Sequence, residues 1–485
     1  MKIALVSRVL GLLGIIISLT MLWPLAWSIT STGSDTSAFL MSISIGLAFS
    51  LLLFILGRQK TGYQELRIRE AFAVVSLSWV LASAIGALPF YISGMVPTYT
   101  DAFFEAMSGF TTTGATILTD IEGQQVGLLF WRSLTHWLGG MGIIVLSLAV
   151  LPFIGVGGMQ LFRAEVPGPT PEKLTPRIQQ TAMLLWIVYV ILSAAETAAL
   201  MIFGMDLFDA LTHTFGTMAT GGFSPRNLSV GAFNSPAIEW VITFFMFLAG
   251  TNFVLHYMAL RGKLSSFFKD EEFRFYLAGT IIFSVVITIL LMSRGGYQSA
   301  GTAIRHSLFQ TISIITTTGY GTADFDIWPH AARFILLSLM FLGGCSGSTG
   351  GSIKQVRIQI MGKRITHEIK RLLHPQQVQK IRFNHQVLKS DVTTSVTAFS
   401  ILYMAIFVVG TMIIMIVTGL DLESGVSSVA ATLGNIGPGL GSVGPTQNYF
   451  DINAPGKWIL SFFMMLGRLE LFSVIMLFVR GTWKQ

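Results

Sequence analysis

The sequence predicts an all-α, polytopic membrane protein. Two N-terminal spans precede four repeats, each built as span, short helix, glycine turn and second span. Three observations carry this expectation. Only 11% of the 485 residues are charged and 52% are hydrophobic, whereas a soluble domain carries roughly 25% charged residues. Apolar stretches long enough to cross about 30 Å of hydrocarbon recur along the chain. Between them, four short polar segments of similar design lie about 100 residues apart.

The spans are expected at 6–29, 37–57, 71–95, 128–155, 181–204, 236–260, 275–293, 330–361, 391–418 and 456–479. The opening stretch MKIALVSRVLGLLGIIISLTMLWPLAW has an apolar run of about 20 residues and no clear A-x-A site, so it reads as a retained span, not a signal peptide. The chain then divides into 1–70 (two spans and a loop) and the repeats 71–180, 181–274, 275–390 and 391–485. An even number of spans puts both termini on one side. Basic residues identify that side: Lys2 and Arg8; Arg58, Lys60, Arg67 and Arg69; Arg163, Lys173 and Arg177; Arg261, Lys263, Lys269 and Arg274; then Lys354, Arg357, Lys363, Arg364, Lys370, Arg371, Lys380, Arg382 and Lys389; finally Arg480 and Lys484. The opposite connections hold only Arg226, Arg294, Arg305, Arg333 and Lys457. The positive-inside rule makes the basic side, with both termini, cytoplasmic. For most of these charges, orientation and contact with lipid headgroups suffice as a role. The run 354–390 is long enough that docking of a cytosolic partner stands beside that reading. The single cysteine, Cys345, excludes an intramolecular disulfide.

The four connections after the first span of each repeat read DAFFEAMSGFTTTGAT, DALTHTFGTMATGGFS, HSLFQTISIITTTGYG and SGVSSVAATLGNIGPG. Aligned on Gly114, Gly222, Gly319 and Gly437, position −9 is polar (Glu105, His213, Gln310, Ser428), −6 is small (Ser108, Gly216, Ser313, Ala431) and −4 is apolar (Phe110, Met218, Ile315, Leu433). A helix of about 10 residues rises about 15 Å, half a bilayer. Non-helical backbone at that depth survives only inside protein or along water. Four such turns about one axis offer rings of carbonyl oxygens that can replace the hydration shell of K⁺, and the negative ends of the short helices favour a cation there. Four Thr/Gly turns with no bound ion are the plain alternative; recurrence in equivalent positions speaks for the filter. The candidate ion-binding residues are Thr111, Thr112, Thr113 and Gly114; Thr220, Gly221 and Gly222; Thr317, Thr318 and Gly319; and Asn435, Ile436 and Gly437.

The segments TTTGA, ATGGF, TTTGY and GNIGP resemble those of the Trk/Ktr/HKT superfamily of potassium transporters, from about residue 71 to the end. The two extra N-terminal spans match its TrkH type, in contrast to the shorter KtrB-like form. The resemblance implies four non-identical M1–pore helix–M2 units around a pseudo-fourfold pore, and a homodimer with one pore per subunit. It also implies a multi-pass protein of the bacterial inner membrane that transports K⁺ (and Rb⁺) among membrane lipids. The implied regulator is a cytosolic, TrkA-like ring of RCK-type subunits, which would carry the nucleotide; this chain would hold no covalent cofactor and bind no nucleic acid. Only the third segment has the Gly-Tyr-Gly form, so weaker K⁺ over Na⁺ discrimination is expected than in a tetrameric K⁺ channel.

Two features lie below the filter in sequence. The second span of repeat 3 is interrupted by Gly343, Gly344, Cys345, Ser346, Gly347, Ser348, Thr349, Gly350, Gly351 and Ser352. Five glycines weaken any helix. A Walker loop does not fit, since no Gly-Lys-Ser/Thr follows. A packing kink and a flexible gate remain, and the resemblance supports the gate. Arg468 sits inside the last span, where an ionisable group costs about 2.5–3.5 kcal/mol. It follows Gly467, the equivalent of Gly139-Gly140, Gly250 and Gly343-Gly344. A structural ion pair is one reading, with Glu470 an unsuitable partner two residues away; the expectation here is that Arg468 faces the pore beside the loop. Arg132 and His136 are expected at the membrane interface, His213 as a buttress, Tyr320 behind the filter and Glu196 in helix packing. No metal cluster or nucleophilic triad stands out. A gated K⁺ pore and a K⁺/H⁺ or K⁺/Na⁺ symporter with alternating access are the two transport readings; an enzyme is not expected.

Overall fold

The computed structural model describes residues 3–57, 64–65, 68–142, 156–157 and 178–479, apart from 32, 295, 377–379 and 385. Lys2, Arg58, Lys60, Arg67, Arg163, Lys173, Arg177, Arg480 and Lys484 lie outside the described residues, as do 143–155 of the expected span 128–155.

Among the described residues six helices have the length and apolarity to cross a membrane: Ile3–Thr30, Thr36–Leu56, Arg69–Ile92, Gln180–Ile202, Glu271–Arg294 and Ser390–Thr418. The first two pack against each other through small residues. A methyl group on Gly14 would sit 2.2 Å from Ser50 Oγ, and one on Gly46 2.4 Å from Ser18 Oγ. Such close approach lets helices associate where no hydrophobic effect drives them together. Asp35, between these spans, accepts the Leu128 backbone N–H at 3.1 Å. That N–H lies in the first turn of the helix Val126–Gly140 and has no partner within the helix, so the N-terminal pair is fastened to repeat 1.

The first helices of repeats 2, 3 and 4 bury only 28%, 28% and 22% of their spanning windows; their remaining faces suit lipid. The short helices are the inverse. From Asp101 to Phe110 every residue is buried. The four short helices are Tyr99–Phe110, Leu207–Met218, Ala300–Ile315 and Leu422–Leu433. Three begin on side-chain caps: Thr98 accepts from Asp101 N, Asp206 from Asp209 N, and Asp421 from Glu423 N and Ser424 N. These helices fill the centre, and the longer spans surround them.

The second helices depart from the sequence expectation. Only that of repeat 3 was expected to break, yet none runs on as a straight span. In repeat 1 the helix Val126–Gly140 ends at the double glycine. In repeat 2, Pro236–Ala249 and Phe253–Leu260 meet at 103°. In repeat 4, Ala454–Arg468 and Phe472–Phe478 meet at 115°. In repeat 3 the helix His330–Leu339 stops, and helix resumes only at Gln355–Leu373. The cause is close packing at one level. A methyl group on Gly139 would lie 1.8 Å from Phe110 O, and one on Gly467 2.0 Å from Leu433 O. The second helices of repeats 1 and 4 are thus pressed against the ends of their own short helices, and both stop there.

Candidate functional site

The four glycine turns meet in a closed ring. A methyl group on Gly114 would sit 2.2 Å from Gly221 O, on Gly222 1.9 Å from Thr318 O, on Gly319 1.9 Å from Ile436 O, and on Gly437 2.7 Å from Thr113 O. Every anchor glycine therefore abuts the carbonyl just before the anchor of the next repeat, and repeat 4 returns to repeat 1. Only glycine fits such contacts. The φ angles reinforce the point: +82°, +80°, +81° and +100° at the four anchors, a region that side chains disfavour.

How the chain reaches this shape is visible in the helix ends. Two residues before each anchor, Thr112, Thr220, Thr317 and Asn435 also have positive φ, between 53° and 60°. Their N–H groups donate three residues back, to Gly109, Thr217, Ile314 and Thr432 oxygens at 2.9–3.3 Å. The next N–H, from Thr113, Gly221, Thr318 and Ile436, donates five residues back, to Ser108, Gly216, Ser313 and Ala431 at 2.8–2.9 Å. This is the Schellman closure, in which glycine normally takes the left-handed position. Three threonines and an asparagine hold it here, at about 1–3 kcal/mol of strain each. The small residue at −6 gains its reason: it is the acceptor under the turn. At Gly216 a methyl group would also meet the Tyr320 hydroxyl at 2.1 Å. Tyr320 is buried and donates toward His213 O at 3.0 Å and Phe223 O at 3.1 Å, so it stands behind two turns.

Two of the polar −9 residues, Glu105 and His213, reach past the anchors. Glu105 accepts from Thr116 Oγ1 at 2.8 Å and Ile117 N at 3.0 Å. His213 Nε2 lies 3.0 Å from Ser224 Oγ. Arg132 and His136, expected at the membrane interface, are instead fully enclosed. Arg132 binds Glu105 at 2.6 Å, donates to Ser224 O at 2.9 Å and stacks on the Phe223 ring at 3.6 Å. His136 Nδ1 is 2.7 Å from Gly109 O, and its ring stacks on Phe223 at 4.1 Å. The correction has a physical cause: the buried carboxylate of Glu105, on a different element, needs a cation, and sequence spacing does not show that pairing. The signal available in the sequence was Arg132 itself, an ionisable residue in an apolar span.

The sparse cations on the side of the ring also have defined places. Lys457 of repeat 4 pairs with Asp101 of repeat 1 at 2.6 Å, both buried. Arg305 of repeat 3 pairs with Glu239 of repeat 2 at 2.8 Å. Arg333 of repeat 3 pairs with Glu423 of repeat 4. These ion pairs, with the Arg132–Ser224 contact between repeats 1 and 2, join each second helix to the next repeat.

Two cavities lie on either side of the ring. One is lined by all four anchor glycines, with Pro438, Gln447 and Tyr449. The other is lined by Trp79, Gly140, Thr349, Gly350, Lys354 and Arg468, among others. Between the ring and the second cavity lies the segment Gly343–Ser352. Gly351 N donates to Thr317 Oγ1 at 2.6 Å. Thr349 Oγ1 donates to Met218 O at 3.1 Å and Ala249 O at 3.2 Å. A methyl group on Gly350 would lie 3.0 Å from Thr316 O, and one on Gly351 2.4 Å from Gly434 O. The segment therefore touches repeats 2, 3 and 4 directly beneath their turns. Cys345 N donates to Gly250 O at 2.8 Å, and Gly347 O accepts from Phe253 N at 3.0 Å, so the loop also fills the bend of repeat 2. Ser348 Oγ donates to Cys345 O at 2.6 Å and Ser352 Oγ to Met340 O at 2.7 Å. Gly343 N donates to Ile353 O at 2.8 Å, while Gln355 N donates to Gly344 O at 3.2 Å. Glu272 accepts from Ser346 N at 2.7 Å and Val356 N at 2.9 Å with one oxygen. Nothing in the sequence marks that clamp across the two limbs of the loop: Glu272 reads as an ordinary acid in a first helical turn.

Arg468 completes the layer. Its guanidinium donates to Thr112 Oγ1 at 3.1 Å, to Thr349 O at 2.6 Å, and to Gly139 O and Gly140 O at 2.7 Å each. It thus ties repeat 4 to the turn and bend of repeat 1 and to the loop of repeat 3. Glu470 pairs with Arg357 instead. Arg357 and Lys354, read from sequence as part of the cytoplasmic basic run, are buried: Arg357 stacks on Phe399 at 3.8 Å, and Lys354 Nζ binds Gly350 O. Glu196 is fully buried within Ile178–Ile202.

The chain matches the TrkH family, described as Cation transport protein, over residues 36–483. It is 41% identical to the Trk system potassium uptake protein TrkH of Escherichia coli strain K12 over 483 residues, covering 99% of both chains. A protein of the same description from Halomonas elongata is 40% identical with both chains covered completely. The crystal structure of the potassium transporter TrkH from Vibrio parahaemolyticus superimposes with a TM-score of 0.89 over all of both chains, at 36% identity.

Proposed function

The chain belongs to the TrkH family of cation transport proteins, and from that premise we propose that it takes up K⁺ through a channel-like pore. The family is one of multi-pass membrane transporters, not of enzymes. In this reading the four turns form the selectivity filter. Thr111–Gly114, Thr220–Gly222, Thr317–Gly319 and Asn435–Gly437 supply oxygens that replace water around K⁺. The observation that carries the proposal is the ring closure: four anchor glycines, each seated on the neighbouring repeat's carbonyl. The segment Gly343–Ser352 and Arg468 act as the gate. They span the path just below the ring, and the loop is held there by hydrogen bonds to Met218 O, Ala249 O, Gly250 O and Phe253 N of repeat 2 and to Arg468 of repeat 4.

The ring faces outward, and the basic side is cytoplasmic, in a bacterial inner membrane. An inside-negative potential supplies about 2.3 kcal/mol per charge per 100 mV, enough to drive uptake with no second ion. The chain works as one of two like subunits on a cytosolic ring of nucleotide-binding regulatory subunits, which relieve the gate.

The test is Rb⁺ uptake into liposomes holding the purified protein, with K⁺, Na⁺ and Li⁺ as competitors. Block by K⁺ and not by Na⁺, without an imposed proton or Na⁺ gradient, is the expected result. Uptake that requires such a gradient would replace the pore with a coupled symporter.

A further inference from the structure

On the side of the molecule away from the ring, a groove opens between the helix Gln355–Leu373 and residues 380–382. Its lining joins two kinds of surface. Phe275, Ile358 and Ile381 give an apolar wall; Phe275 lies in the second turn of the spanning helix Glu271–Arg294 and is exposed. Lys370, Lys380 and Arg382 give a cationic wall. None of these three cations forms an ion pair among the described residues, whereas the nearby acids are engaged. Glu271 pairs with Lys363, Glu368 with Arg371, and Asp270 accepts from Asn384 Nδ2 at 2.8 Å. The groove therefore carries uncompensated positive charge beside an apolar floor, where a membrane helix leaves the bilayer.

We propose that this groove binds the phosphodiester headgroup of an anionic phospholipid through Lys370, Lys380 and Arg382, with the acyl region against Phe275 and Ile358. A free phosphate would leave the apolar wall without a partner; an amphiphile satisfies both walls. The helix itself supports a place at headgroup level. Ile365, Ile369 and Leu372 form one exposed apolar stripe on it, flanked by cations, the pattern of a helix lying in the interface. The bound lipid also braces the gate. The helix begins directly after the loop, and its wall is tied through Lys363 to Glu271, the neighbour of the Glu272 clamp. This second part rests on the loop acting as the gate; the binding site does not.

The experiment uses the full chain in phosphatidylcholine nanodiscs with and without phosphatidylglycerol, at constant ionic strength. Retained phosphatidylglycerol is counted by native mass spectrometry. The triple variant Lys370→Gln/Lys380→Gln/Arg382→Gln is compared with the exposed basic triple Arg261→Gln/Lys263→Gln/Lys269→Gln. Each cation in direct contact with an anionic headgroup contributes about fivefold, so the groove triple is expected to retain phosphatidylglycerol on the order of tenfold or more less well, and the other triple, which lies outside the groove, to match wild type. Equal loss in both triples, or in neither, overturns the site. Competition by soluble glycerol phosphate as strong as by lipid overturns the lipid as its occupant. Rb⁺ flux that responds to phosphatidylglycerol in wild type and not in the groove triple supports the brace. Flux indifferent to the lipid in wild type, with retention intact, overturns the brace, and wild-type flux in phosphatidylcholine alone reports separately on the pore.

Discussion

The ring of turns and the layer beneath it are built on opposite principles. In the ring, four stretches of different sequence take one backbone: the same pair of positive φ angles, the same Schellman bonds and the same seat on the next repeat. Beneath it nothing is repeated. One loop comes from repeat 3, one guanidinium from repeat 4 and one carboxylate clamp from Glu272. The ring's symmetry resides in main chain, which any residue tolerant of the geometry can supply. The layer below depends on side chains that occur once. A structure of the first kind suits a fixed binding site, and one of the second kind suits a part that must open.

The contrast can be broken at the ring first. Asp101→Asn leaves the Lys457 ammonium buried without a carboxylate at the seam where repeat 4 meets repeat 1. Losing one partner of a buried pair costs about 3–5 kcal/mol, and thermal unfolding should show a clear fall in midpoint. The seam is closed by non-covalent contacts alone, so an unchanged midpoint would mean it is not a point of weakness. Gly319→Ala comes next. A methyl group there meets Ile436 O at 1.9 Å from a φ of +81°, with strain of about 1–3 kcal/mol before the clash. Preference for Rb⁺ over Na⁺ should drop on the order of tenfold, for which about 1.4 kcal/mol suffices. Retained selectivity would mean that the ring is scaffolding.

Changes in the lower layer should act in the other direction. Arg468→Ala removes donors from Thr112, Thr349, Gly139 and Gly140 at once. On the proposed gating role, Rb⁺ flux by the purified protein should rise several-fold; a fall would assign Arg468 to holding the ring. Glu272→Gln keeps the shape of the clamp and removes its charge. Hydrogen bonds to charged groups contribute about 1.5–3 kcal/mol and neutral ones about 1, so a rise of about twofold in flux is expected, with selectivity unchanged. Altered selectivity in this variant would show that ring and loop are not separable.

Much of the ring was legible in the sequence because its constraints are local. The anchors Gly114, Gly222, Gly319 and Gly437 are needed where φ is positive, the −6 residue must be small, and the short helix must stop before them. These requirements fall at fixed spacing, and four copies make them visible. The second helices were less legible. Val126–Gly140, Pro236–Ala249 and Ala454–Arg468 read as the starts of ordinary spans, because hydropathy reports apolarity and is blind to a bend. Gly139 and Gly467 did mark the level, but their meaning lies in Phe110 O and Leu433 O, far away in sequence. The burial of Arg132 is hidden for the same reason, since its partner Glu105 lies on another element.

The sequence by itself determined that this chain lives in a membrane, that it is built from four like units, and where in each unit the backbone must leave the helix. Those are consequences of solvent, length and local conformation, and each is written in a few adjacent residues. Tertiary structure alone decided that the turns close into a ring, that Lys457 finds Asp101, and that Arg468 meets the loop of another repeat instead of Glu470. Contacts between residues hundreds apart depend on how helices pack. In a membrane that packing follows from shape and buried polar pairing, which periodicity along the chain does not record.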